Sequence, residues 1–138
     1  MCLSTTMRAP KITKRPLICY KVMMKGTKYI YTFYTNTRVP EEIIQGKETL
    51  KANRRNIKWQ NLVVDRWVHH ATGEEMIDFG PGYIHAYRNG KRVIEKFGHN
   101  KKVLVYRCEI PAGVEYFENG TEYCARELRF VELIHPVQ

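Results

Sequence analysis

The chain is 138 residues long, with 23 Lys and Arg against 14 Asp and Glu, a formal charge of +9 and a pI near 9.5. That is the size of one domain, and apolar and charged fractions of 43% and 27% exclude a wholly disordered, collagen-like or disulfide-dominated chain. No apolar run approaches the roughly 18 residues of a membrane helix, and the opening MCLSTTMRAPKITKRP lacks a signal-peptide core, so no membrane association and a cytoplasmic location are expected, with the cysteines as thiols.

Residues 1–16, with Pro10 and Pro16 among small and basic residues, are expected to form an extended basic arm ahead of a single α+β domain over 17–138. Leu17 to Met24 and Lys28 to Tyr34 are β-rich runs around Lys25-Gly26-Thr27 and predict a hairpin. In the first run Ile18, Tyr20 and Val22 share one face, Cys19 and Lys21 the other. Pro40-Glu41-Glu42 starts a short helix to about Gln45, stopped by Gly46. Lys47 to Trp59 shows no period and reads as loop with at most one helical turn, while Leu62 to Val68 fits strand or helix equally.

Gly80-Pro81-Gly82 breaks the chain ahead of a strand over Tyr83 to Tyr87. Asn89-Gly90 could turn a hairpin. The helix reading is preferred, because Asn89 can cap it, Val93, Ile94 and Phe97 then share a face, and Gly98 can stop it. Lys102 to Ile110 alternates most clearly as a strand. Val114 to Phe117 and Thr121 to Cys124 form a hairpin on Asn119-Gly120, and Leu128 to Ile134 closes the domain. Glu132 falls on that strand's apolar side, which implies a face only partly buried. The expected fold is α+β, a mainly antiparallel twisted sheet with one or two short helices and the N-terminal arm.

Several segments, Met1-Cys2-Leu3, Pro10-Lys11-Ile12, Ile18-Cys19-Tyr20-Lys21-Val22, Gly82-Tyr83-Ile84-His85-Ala86-Tyr87, Cys108-Glu109-Ile110-Pro111-Ala112-Gly113 and Gly120-Thr121-Glu122-Tyr123-Cys124, with Leu128-Arg129-Phe130 beyond, resemble a group of short uncharacterised proteins of gut bacteria and their phages. About two thirds of the chain is covered, with residues 35–78 unmatched. The resemblance implies a phage or mobile-element source, hence host cytoplasm or virion, and a helix after the His-containing strand. It implies no activity.

The positive charge is one-sided. Residues 1–60 hold 13 Lys and Arg against Glu41, Glu42 and Glu48, whereas the remainder holds 10 bases and 11 acids. A one-sided field attracts polyanions, so the expected partner is an anionic macromolecule, either nucleic acid or an acidic protein surface. The plain alternative is a solvated outer face. Lys25, Lys28, Tyr31, Arg54, Arg55, Lys58 and Trp59 are the binding candidates, since rings stack bases while cations follow phosphates. An ordinary aromatic-rich sheet would carry the same mix.

Catalytic and metal readings are weaker. If Met1 were removed, Cys2 would present a thiol beside its own amine, as in N-terminal nucleophile hydrolases; an incidental residue is the commoner case. Cys19, Cys108 and Cys124 with His85 could hold zinc, but no C-x₂-C pair is present, so buried thiols, no metal and no cofactor are expected. His69 and His70 point to opposite faces of a strand. His85, between Tyr83 and Tyr87 on one face, could serve as a base with Glu122 or Glu127 in a nucleotide-directed enzyme, with a distant likeness to ADP-ribosyltransferases in which Lys21 stands where that family places His or Arg. The leading reading is a non-catalytic interaction module or assembly component, with self-association through the arm.

Overall fold

The computed structural model describes residues 3–52 and 56–137; Cys2, Arg54 and Arg55 lie outside them. The organising strand is β10 (Val103–Ile110). Leu104, Tyr106, Cys108 and Ile110 face one core while Val103 and Val105 face another, which is why its sequence is apolar almost throughout. It pairs antiparallel with β3 (Leu17–Lys25) over eight residue pairs and with β13 (Glu127–His135) on its other side. Shorter strands extend the sheet. These are β2 (Lys11–Ile12), β4 (Ile30–Thr32), β5 (Arg38–Val39), β6 (Leu50–Lys51), β9 (Ile84–Tyr87), β11 (Glu115–Glu118) and β12 (Glu122–Ala125). The hydrogen-bonded order is β2-β11-β12-β9-β3-β10-β13-β6, with β4 attached to β3 and β5 to β4.

That order forces the sheet's shape. Three strands separate β12 from β13 in the ladder, yet only Arg126 separates them in the chain. With strands spaced about 4.8 Å apart, both conditions hold only if the sheet curls on itself as an open barrel. The inward face holds the first core, with Cys19, Met23, Ala86, Leu104, Tyr106, Cys108, Leu128 and Phe130 among its members.

Two structures cover the outer face. Helix α2 (Gly90–Phe97) packs Val93, Ile94 and Phe97 over Val22, Val103 and Val105. Asn89 caps it, its Oδ1 accepting from Arg92 N at 3.2 Å, as the sequence predicts. A second sheet, ordered β1 (Leu3–Thr5), β8 (Glu75–Phe79) and β7 (Val63–Val68), packs Leu3, Ile77 and Phe79 against Phe117 and Cys124. On its other face Asp78 Oδ1 accepts from Ser4 Oγ at 2.6 Å and Trp67 Nε1 at 2.8 Å.

The expected N-terminal arm is therefore corrected. Leu3 and Thr5 are buried, β1 pairs with β8, Thr5 Oγ1 donates to the Glu118 carbonyl at 2.8 Å, and β2 pairs with β11. Residues 3–5 and 11–13 are integral to the domain, with β2 at the end of the ladder. Leu62 to Val68 resolves into the end of a 3₁₀ turn (Trp59–Leu62) followed by β7. Glu132 is explained by a bulge. Cys108 pairs with Phe130 and Arg107 with Glu132, leaving Val131 unpaired, and Glu132 meets Arg107 at 3.0 Å.

Helix α1 (Glu41–Ile44) begins after Pro40 and carries Glu41 and Glu42 in its first turn, at the positive end of the peptide dipoles. It ends towards Gly46, whose φ is +77° and where a Cβ would stand 2.5 Å from the Phe130 carbonyl oxygen. Gly46→Ala is therefore expected to lower stability by about 1–2 kcal/mol, read as a reduced urea midpoint at unchanged m. An unshifted midpoint would mean that the loop moves off β13 at no cost.

Candidate functional site

The outer face between α2 and the β11–β12 turn is left open. Register places its floor: Tyr87 pairs with Tyr20 on one side and Glu122 on the other, and His85 pairs with Cys124. Directly paired residues point the same way, so His85, Tyr87 and Glu122 share this face, as the alternation of Tyr83, His85 and Tyr87 predicts. The turn forming one wall is set by Asn119, whose Oδ1 accepts the backbone N–H of Thr121 at 2.9 Å and of Glu122 at 2.8 Å. Arg88 ties that turn to the end of β9, its Nη1 donating to the Asn119 carbonyl at 2.8 Å while its guanidinium lies over the Tyr123 ring.

Helix α2 forms the other wall. Arg92 and Lys96 are four residues apart and so share a side of the helix, while Val93 and Phe97 anchor it below. The result is a cavity of about 600 Å³ lined by Tyr34, Tyr87, Arg88, Arg92, Lys96 and Glu122. Among the described residues no ion pair within 4.0 Å engages Arg88, Arg92 or Lys96.

The aromatic part of the wall is a packed group. Phe33 stands edge-on to Tyr34 at 4.9 Å and to Phe97 at 5.1 Å, and Phe97 lies 6.0 Å from Tyr87. The hydroxyls of Tyr34 and Tyr87 meet at 3.5 Å, and Tyr34 is half exposed. Burial and this contact push the Tyr87 phenol far above its ordinary range. Burial also raises Glu122, against the pull of Asn119, Lys96 and Thr121, and among the described residues its Oε2 is buried without a hydrogen-bond partner.

A smaller cavity of about 130 Å³ adjoins, sharing Tyr34 and Tyr87 and lined also by Lys21, Thr35 and His85. It exists because β3 and β9 pair only at Tyr20 and Tyr87. Beyond that point Lys21 Nζ reaches across and donates to the His85 carbonyl at 2.7 Å, standing in for the missing ladder bond. Burial draws the Lys21 amine down to about 8. The His85 ring is held at 2.6 Å from the Gly80 carbonyl, to which Nε2–H donates, leaving Nδ1 as a bare acceptor with no partner among the described residues. Burial first, with Lys21 adding to it, takes His85 down to about 4, so the ring is neutral at pH 7.

The sequence-predicted binding residues fall in separate places. Lys25, Lys28 and Tyr31 lie at the β3–β4 hairpin, where Tyr31 packs over Gly26 and Lys28 sits 5.5 Å above the Tyr29 ring. Lys58 and Trp59 lie at the 3₁₀ turn before β7. Trp59 is partly buried, its ring packed 5.6 Å from Phe117 against the second core. Glu127 faces Lys51 at 3.9 Å and lines neither of these two cavities, so it is not brought to His85. Cys19 and Cys108 are directly paired within the barrel, and Cys124 belongs to the other core. Burial raises all three thiols, Cys108 to about 12.

Arg88, Arg92 and Lys96 do not stand out in the net charge because the half containing them is nearly neutral overall. Their signal is local: four cations, Arg88, Lys91, Arg92 and Lys96, in nine residues around a cap. Comparison of the chain with protein-family models, curated proteins and solved structures finds no match.

Proposed function

We propose that this protein is a non-catalytic binding module that takes a segment of single-stranded nucleic acid in the cleft between α2 and the β11–β12 turn. The observation that carries this reading is the placement of Arg88, Arg92 and Lys96, with no ion pair within 4.0 Å among the described residues, in one cavity with the Tyr34 and Tyr87 rings. Cations there follow phosphates and the half-exposed Tyr34 ring offers a face to a base. The N-terminal positive charge supports approach from a distance rather than the contact itself. The cleft opens across the sheet's outer face, where a flexible strand fits better than a rigid duplex. The enzyme alternative has less behind it: titrating at about 4, His85 is a weak base, its Nε2–H is tied to the Gly80 carbonyl, and of its two candidate partners Glu122 shares its face while Glu127 lies apart.

Fluorescence anisotropy of labelled single-stranded and duplex oligonucleotides, repeated from about 50 to 200 mM salt, tests the reading. The single strand is expected to bind more tightly, with log K falling steeply as salt rises. Arg92→Ala with Lys96→Ala is expected to weaken binding by roughly tenfold or more and to reduce the salt slope by about 1.4, about 0.7 for each phosphate of the single strand that is no longer neutralised. No binding at the lowest salt, or unchanged binding by the double variant, overturns it.

A further inference from the structure

We propose, resting on that reading, that the smaller cavity beside the cleft is a subsite for a phosphomonoester, in which the Lys21 ammonium holds the terminal phosphate of a strand lying in the cleft, so that the module favours phosphorylated strand ends.

Lys21 is a charge without a counter-charge. It alternates along β3 with Cys19 and Met23, both members of the first core, so the strand directs it towards apolar surroundings. One N–H of its amine donates to the His85 carbonyl; among the described residues the other two have no acceptor, and no ion pair within 4.0 Å engages them. The titratable groups that act on it are the Cys19 and Cys108 thiols, both held neutral by burial. An amine at about 8 is still mostly protonated at pH 7, and a desolvated cation without a partner is strongly unfavourable. The residue is only partly buried and lines the cavity of about 130 Å³, so the missing anion has room beside it.

The lining fits an anion. Among the described residues no Asp or Glu lines this cavity. Thr32 and Thr35 share one hydrogen bond between their hydroxyls, which leaves one hydroxyl hydrogen over whichever of them donates. Lys51 also lines the cavity but meets Glu127 at 3.9 Å, so the charge rests on Lys21. Size then selects a strand end. The cavity has less than a quarter of the cleft's volume, enough for a phosphate but not for a nucleotide whose chain must enter and leave. A terminal phosphate carries about −1.5 to −2 charge at neutral pH, more than the single charge of an internal diester, and so matches the ammonium better. Because the two cavities share Tyr34 and Tyr87, a strand that follows Arg88, Arg92 and Lys96 can end in the smaller one.

The test uses the full chain and one labelled single strand in three forms, with a 5′-phosphate, with a 3′-phosphate and with hydroxyls at both ends, in the anisotropy assay at about 50 mM salt. One phosphorylated form is expected to bind roughly tenfold more tightly than the hydroxyl form, as for hydrogen bonds to a charged group, and which one it is gives the direction of the strand. Inorganic phosphate, compared with chloride at equal ionic strength, is expected to remove that advantage without weakening the hydroxyl form. Lys21→Met keeps the apolar stem and removes the donors, and is expected to bring the three forms within about twofold of each other. Equal, salt-dependent binding of the three forms by the unaltered protein, or the same gain from either phosphate, overturns the subsite and leaves the module reading standing. Failure of all three forms to bind overturns both; a melting temperature raised by inorganic phosphate in the unaltered protein, and not in Lys21→Met, would then assign the cavity to the free ion instead. The three-form comparison needs no variant, so it decides even if Lys21→Met does not fold.

Discussion

Phe117→Ala is expected to cost about 4 kcal/mol, within the range for removing a buried phenyl ring, and to loosen the small sheet before the barrel. Phe117 is fully buried, pairs with Cys124, and lies 4.3 Å from Phe79, 5.6 Å from Trp59 and 6.0 Å from Tyr83. Among the described residues no ladder joins the two sheets. The small sheet is held by this aromatic group and by a few polar ties, such as Asn119 Nδ2 to the Ser4 carbonyl at 3.0 Å. Alanine leaves a cavity at the centre of the contact, and the surrounding rings are anchored on separate segments, Phe79 on β8, Trp59 on the 3₁₀ turn and Tyr83 ahead of β9, so they cannot close on it together. Both tryptophans, Trp59 and Trp67, belong to the small-sheet segment, so their emission should shift at lower urea than the barrel's far-ultraviolet signal. A cost under about 1 kcal/mol with coincident transitions would show that the polar ties, and not the ring cluster, hold the sheets together.

The features readable in the sequence are those whose causes are local. Asn89 caps α2 through an N–H three residues on, and Asn119-Gly120 turns a hairpin between adjacent β-rich runs. Both patterns lie within a few residues and need nothing else from the fold. The N-terminal residues mislead for the converse reason. Leu3 and Thr5 are buried only because Phe79 and Ile77, more than 70 residues away, present a strand to them. Glu75 to Phe79 does alternate, with Ile77 and Phe79 inward, but it is too short and too polar to stand out before its partners are known. The bulge at Val131 and the curling of the sheet likewise follow from pairing, which one strand's composition does not contain.

The candidate site is half legible. Tyr87 and Glu122 are recognisable as facing residues near His85, but the net charge points to the N-terminal half and away from Arg92 and Lys96. Net charge sums over a segment, whereas a cleft gathers side chains from a helix, a strand end and a turn. Arg92 and Lys96 come together because α2 packs on Val22, Val103 and Val105, and that docking brings them to the cavity that Tyr87 also lines. Trp59 shows the opposite case. A ring beside a lysine reads as a stacking surface, and nothing near it in the sequence shows that it also packs on Phe117.

Acidification should destabilise the protein through His85, and His85→Gln should remove that sensitivity. In the folded chain His85 titrates at about 4, against 6.5 when unfolded. Between those values the unfolded state holds a proton that the folded state refuses, so stability falls as pH drops from 6.5 to 4 and levels off below. A gap of this size corresponds to about 3 kcal/mol at most. Glutamine can still donate to the Gly80 carbonyl and does not titrate. Glu122 works in the other direction, since burial raises it above its unfolded 4.5. Protonation near that pH therefore favours the folded state and partly masks the effect in the unaltered protein. The difference between the two proteins cancels this contribution, as Glu122 is present in both. Urea unfolding at pH 8, 6.5, 5 and 4 is expected to give a difference that changes by under about 0.5 kcal/mol between the two higher values and moves by about 3 kcal/mol in favour of His85→Gln by pH 4. Parallel curves across the whole range would mean that Nδ1 accepts a proton in the folded state as readily as in water, and that the ring is not sealed between β9 and the Gly80 loop.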